Sequence, residues 1–212
     1  MDKQKELAKI AEEIGKCRKC GLWRRATKAV PGEGNCEAKV MLVGEAPGFN
    51  EDQRGIPFCG AAGKLLDKLL ALAKLKRDEV FITNILKHRP PGNRDPLPSE
   101  IEACRSFLDR QTEVIEAKII ITLGRFSMAK FLPQALISQV HGQPRFVEFG
   151  GRELIVVPMY HPAAALRNGK IIAEEERDFE KLGSFLEKLE GKEKVEIEKE
   201  EKIEEKEQLK LI

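Results

Sequence analysis

Residues 39–48 read KVMLVGEAPG, and this stretch decides the fold. KVMLV is a short, nearly continuous apolar run, the pattern of a strand buried on both faces. It stops at Gly44. Gly44-Glu45-Ala46-Pro47-Gly48 must then turn sharply, which exposes backbone amides and Glu45. An ordinary strand-to-helix turn would satisfy the glycines, but a carboxylate at a strand's buried end needs a partner or a purpose.

Working outward, three more runs read as strands: residues 79–85, 118–123 and 153–157. Helical spacing of apolar residues covers 3–15, 61–75, 126–131 and 174–189. A further helix is expected from Ser99, as N-cap with Glu102 completing a capping box, to about Ile115. Short apolar strands alternating with helices imply an α/β fold of three αβα layers around a four-stranded parallel sheet. Ligands of such sheets bind at the carboxyl ends of the strands. Four segments belong at that edge: 44–50, 84–94, 124–127 and 160–167.

The chain has 212 residues, 42% apolar and 34% charged, with a net charge of +2. That balance excludes a wholly disordered chain and fits one domain, residues 1–190. Residues 191–212 are low-complexity Glu and Lys, expected to be a disordered tail or a solvated helix extension. The rest of the chain keeps a small positive excess, compatible with a nucleic-acid partner. Apolar runs are too short to span a membrane, and the polar N-terminus lacks a signal-peptide core, so the cytoplasm is the expected compartment. Abundant Glu and Lys beside scarce Asn and Gln point to a thermophilic source. Five cysteines, an odd number, argue against a disulfide framework and for metal or redox chemistry.

Cys17-Arg18-Lys19-Cys20 can offer two thiolates to one metal centre. It follows a helix rather than a strand, which disfavours a thioredoxin-type motif. Cys104 and His88 are the candidates to complete the set, although a lone Cys is more often a small buried hydrophobe. Residues 55–64, GIPFCGAAGK, mimic a phosphate loop but place Phe58 at the first glycine and lack the closing Ser or Thr. Nucleotide hydrolysis is rejected on that ground. Phe58 is instead either core or a stacking surface for a base. Asn84 ends a strand, and its amide can pair with a pyrimidine edge or cap the following loop. Residues 87–94, KHRPPGNR, form a basic, proline-stiffened loop suited to phosphates. His161, fixed before Pro162, is a candidate general acid or electrophile.

Taken together, these motifs resemble the family 4 uracil-DNA glycosylases, the iron–sulfur type of thermophilic bacteria and archaea. The pieces that carry the resemblance are Cys17-x-x-Cys20, residues 44–48, residues 55–64, Thr83-Asn84, Arg89-Pro90-Pro91 to Asp95-Pro96, and His161-Pro162-Ala163. The resemblance spans about residues 10–190. It implies the uracil-DNA glycosylase-like αβα fold and a DNA repair enzyme of base excision. Such an enzyme flips deoxyuridine out of DNA and hydrolyses its N-glycosidic bond, leaving an abasic site. Carried over, Gly44, Glu45 and Ala46 line the uracil pocket, Phe58 stacks on the base, Asn84 reads its pairing edge and His161 faces O2. Glu45 and His161 would be catalytic. The family's 4Fe–4S cluster would take Cys17, Cys20, His88 and Cys104. The usual third ligand is a Cys, and this chain has His88. A three-iron or labile cluster, or ligation by Cys36 or Cys59, stays open. Arg89, Arg94, Arg125, Leu166 and Arg167 are candidates for DNA contacts, and a monomer is expected. Gln208-Leu209-Lys210-Leu211 resembles a clamp-binding peptide without its aromatic pair, which makes a replication clamp a further candidate partner. The competing class is an iron–sulfur protein that binds or traps damaged DNA without turnover.

Overall fold

The computed structural model describes residues 2–208. Its elements are α1 (Lys3–Lys16), β1 (Glu33–Gly34), β2 (Val40–Gly44), α2 (Phe49–Arg54), α3 (Ala61–Leu72), β3 (Phe81–Asn84) and α4 (Pro98–Ile115). They continue with β4 (Ile119–Leu123), α5 (Arg125–Phe131), α6 (Ile137–Val140), β5 (Arg145–Phe149), β6 (Arg152–Met159), α7 (Pro162–Ala165) and α8 (Gly169–Gln208). Short 3₁₀ turns join several of them.

One sheet runs β1-β3-β2-β4-β6-β5. Its centre is the expected set of four parallel strands, with Gly44 opposite Asn84 in the β2–β3 register. The sheet is larger than the expected four strands. β1 and β5 add antiparallel edges, so it is six-stranded and mixed. β5 and β6 form a hairpin whose turn is Gly150-Gly151, both with positive φ (59° and 74°), the geometry glycine permits.

Alternation within the buried strands feeds two cores. Met41 and Val43 of β2 face α1 and α4, with Ile10, Ile14, Phe107 and Leu108. Val40 and Leu42 face α3 and α8, with Leu66, Leu69, Phe179 and Leu182. Helices therefore cover both faces of the sheet, as the pattern requires.

Ser99 is not the N-cap of α4. Leu97 holds that place, because Pro98 lacks an N–H and starts the helix well. Glu100, rather than Glu102, closes the turn by accepting the Leu97 amide at 2.9 Å. The last helix is also longer than 174–189. The clamp-like peptide runs into residues 209–212, outside the described residues. No helix among the described residues is long and apolar enough to cross a membrane.

Candidate active site and cluster cradle

The parallel strands end together, so their following turns converge at one edge. Gly44 is the meeting point. A Cβ placed there would lie 2.3 Å from Asn84 Oδ1 and 2.7 Å from the Phe58 ring. Only glycine lets these two side chains reach the end of β2. Phe58 in turn stacks against His161, with ring centroids 5.6 Å apart. His161 also packs on Gly124, after β4. Four residues predicted from separate motifs, Gly44, Phe58, Asn84 and His161, are thus brought into contact.

Asn84 is 1% exposed, yet neither its Nδ2 nor its Oδ1 has a partner. Such an amide is costly unless a ligand completes it. Its backbone is fixed from below. Lys87 Nζ donates to Asn84 O at 2.8 Å, to Thr83 Oγ1 at 2.6 Å and to Gln111 Oε1 at 2.7 Å. Lys87 is fully buried, so it does not belong to the phosphate-contacting face expected of the 87–94 loop.

Phe58 adopts a positive φ of 49°, rare for a bulky residue. Two features hold it there. Glu51 of α2 accepts the amides of both Gly48, at 2.5 Å, and Phe58. Gly63 leaves room for the Phe58 carbonyl, which a Cβ would meet at 1.6 Å. Burial raises the Glu51 carboxyl above its usual range, and the two amides oppose that shift. The sequence reading missed Glu51. Its spacing, three residues after Gly48 in a turn before a short helix, was the available signal.

His161 N-caps α7. Its Nδ1 accepts the Ala163 amide at 3.1 Å, which leaves the proton on Nε2. Burial pushes its pKa down to about 4, with nearby Arg167 adding to the shift. The ring is therefore a neutral donor at physiological pH. Glu45 is half-buried. Desolvation, then the nearby Asp95, raises its pKa to about 7, with Arg125 opposing. Ala46 follows on the same turn, partly buried.

The rim carries the remaining candidates. Arg89 lies beside Phe49. Arg94 makes a two-pronged contact with Glu100, at 2.6 and 2.9 Å. Arg125 pairs with Asp95 at 2.5 Å. Leu166 is 47% exposed just beyond α7, and Arg167 follows it with Nε on Ala163 O at 3.1 Å.

Cys17, Cys20 and Cys104 share one apolar cluster between α1 and α4. Burial raises the Cys104 thiol to about 11; Lys87 counters this, and Cys20 and Cys17 add to it. His88 is buried, its pKa lowered by desolvation and by Arg18, the neighbour of Cys17, with Asp52 opposing. A neutral imidazole is the form that ligates metal. No three His, Cys, Asp or Glu side chains among the described residues are gathered tightly enough for a single ion. A four-iron cluster takes one ligand per iron, four in all. The donor set of three thiols and one neutral imidazole fits it. Cys59 instead feels Glu51, Arg54 and Arg77 beside Phe58, and Cys36 follows β1 at the far edge of the sheet.

The uracil DNA glycosylase superfamily model matches residues 31–188. The type-4 uracil-DNA glycosylase of Sulfurisphaera tokodaii is 50% identical over 182 residues, covering 83% of this chain and 83% of that protein. Its counterpart from Archaeoglobus fulgidus is 48% identical, covering 83% of this chain and 91% of its own length. The one from Thermotoga maritima is 39% identical over 84% of this chain and 94% of its own. A match of that extent, running through every motif that meets at Gly44, means that the chain belongs to the uracil DNA glycosylase superfamily, in its type-4 branch.

Proposed function

We propose that this chain excises uracil from DNA as a repair glycosylase, hydrolysing the N-glycosidic bond of an extruded deoxyuridine. The observation that carries this reading is the unpartnered Asn84 amide. Its Nδ2 can donate to uracil O4 and its Oδ1 can accept from N3–H, a pairing that cytosine's donor and acceptor pattern refuses. Phe58 offers the face on which the ring stacks.

The groups lie at a recessed sheet edge that a base inside a duplex cannot reach. Extrusion costs about a few kcal/mol, least for mismatched or single-stranded uracil. When the C1′–N1 bond breaks, its electron pair passes to the base and charge gathers on O2. His161 Nε2–H donates to that oxygen, and one such donor is worth about 3 kcal/mol in the transition state. Water adds to C1′, and the proton it gives up neutralises the uracil anion, which leaves as free uracil. Ala46 has no group to orient that water, so the role falls to Glu45, the carboxylate on the same turn.

In this reading Cys17, Cys20, His88 and Cys104 hold a 4Fe–4S cluster. Bound there, the cluster would tie α1 to α4 and to the loop after β3. No chemical step needs it. Arg89, Arg94, Arg125, Leu166 and Arg167 line the DNA-facing rim. Residues 1–190 form the glycosylase domain, with Leu189 still packed on the α3 side of the core in support. Residues 191–212 are an appendage, and a clamp is its candidate partner. The protein acts as a monomer in the cytoplasm, where its five unpaired cysteines are at home.

The test is direct. Purified protein incubated with a uracil-containing oligonucleotide, without magnesium or ATP, should yield alkali-labile abasic sites and free uracil. No strand cleavage at any temperature up to the melting point would sink the reading.

A further inference from the structure

Phe49 starts α2 immediately after the Gly44–Gly48 turn, and its side chain is 57% exposed. A single exposed apolar residue is ordinary. The place and company of this one are not. The Arg89 guanidinium carbon lies 5.1 Å from the ring centroid. Arg89 is itself steadied by Asn93, whose Oδ1 accepts from Nε at 2.7 Å. The oriented cation therefore lies over one face of the ring where β2 and β3 end, the strands that deliver Gly44 and Asn84. The residue is still 57% exposed with Arg89 over that face, which leaves the other face as the one available to a base. The same short helix carries Glu51, which fixes the Phe58 backbone, so Phe49 is placed rigidly with respect to the residue under the base.

From this juxtaposition we infer that Phe49 is a stacking platform for a DNA base flanking the extruded deoxyuridine, with Arg89 reaching the adjoining phosphate. The inference rests on the uracil-excision reading and extends it. Stacking on an aromatic ring needs no particular sequence, because every base presents a π-face. Arg89 supplies the position-fixing, sequence-blind half of the contact.

The experiment uses the full-length protein and a single-stranded oligonucleotide whose one deoxyuridine is 2′-fluorinated, so that binding is read without cleavage. Phe49→Ala and Phe49→Leu should each weaken binding about 5- to 100-fold. Phe49→Trp should bind like the parent, and its added indole emission, over that of the single native Trp23, should be quenched by DNA. If Phe49→Leu or Phe49→Ala binds as tightly as the parent, stacking is overturned. An unquenched indole in Phe49→Trp overturns it as well. A parent protein that leaves an unmodified uracil strand uncut would show a different failure, that of the excision reading itself.

Discussion

The rings of Phe58 and His161 stack with their planes inclined by 28°, joining the loop before α3 to the end of β6. In the proposed mechanism these two rings are the base-stacking surface and the O2 donor, and their contact sets them relative to one another before substrate arrives. A donor that is already oriented needs no reorganisation as charge develops, which is the source of its catalytic effect.

His161→Ala should therefore lower single-turnover excision by roughly 10²–10³-fold, the loss that follows from removing one anion-stabilising donor. Circular dichroism should show an intact fold, since the ring caps only the four-residue α7. Unchanged rates in this variant would remove His161 from the reaction.

Asn84→Asp should reduce uracil excision by a comparable factor, because a carboxylate repels O4 instead of donating to it. Free uracil should raise the parent's melting temperature, since a ligand that completes the buried amide binds only the native state. The shift should vanish in Asn84→Asp. A shift of equal size in both proteins would show that uracil binds elsewhere.

The pH profile tests Glu45. Its carboxyl, raised to about 7 by burial, has to be ionised for the proposed water-orienting role. Excision should thus climb as pH rises from 5 to 8 and then level off. His161, lowered to about 4, stays neutral throughout that window and adds no limb. Glu45→Gln should give a slower and flat profile. Persistence of the climb in that variant would assign it to another group.

The parallel centre of the fold was legible because strands buried on both faces must be continuously apolar. Its edges were not. β1 is two residues long, and β5 is largely exposed, so neither carries an apolar run. The Gly150-Gly151 pair between alternating residues is the hairpin signal that β5 and β6 leave in the sequence. Gly44, Phe58, Asn84 and His161 were readable as motifs. Their supports were not, because Glu51 and Lys87 look like surface residues in sequence. Only the folded turn shows that one accepts two amides and the other lies beneath Asn84.

Glu175 on α8 is a cost that the fold carries. It is fully buried, both its oxygens lack partners, and desolvation with Asp178 raises its pKa to about 8. The folded pKa lies above the unfolded one, so the stability from keeping the proton is complete below about 4.5 and is lost as pH rises through 8. Glu175→Met should therefore stabilise the protein by an amount that grows with pH, on the order of 1–3 kcal/mol at pH 9. Thermal melts at pH 4 and pH 9 read the difference. Equal shifts at both would mean that the native carboxyl is not held above its unfolded pKa.

His88 offers the most exposed prediction, because it stands where the type-4 pattern implies a cysteine. In the proposed ligand set three thiols are joined by this buried imidazole, and burial with Arg18 favours the uncharged ring that iron requires. The protein as isolated should be brown, with about four iron and four sulfide per chain. Replacing one anionic thiolate by a neutral ring leaves the cluster one charge more positive, which should raise its reduction potential. His88→Cys should keep the cluster and lower the potential, whereas His88→Ala should lose iron or leave one iron open to added thiol. Acid should release iron from the parent sooner than from His88→Cys, since protonation removes imidazole as a ligand at a higher pH than it removes an iron-bound thiolate. A His88→Ala protein with unchanged four-iron spectrum and potential would place the fourth ligand elsewhere, with Cys36 and Cys59 the next to substitute.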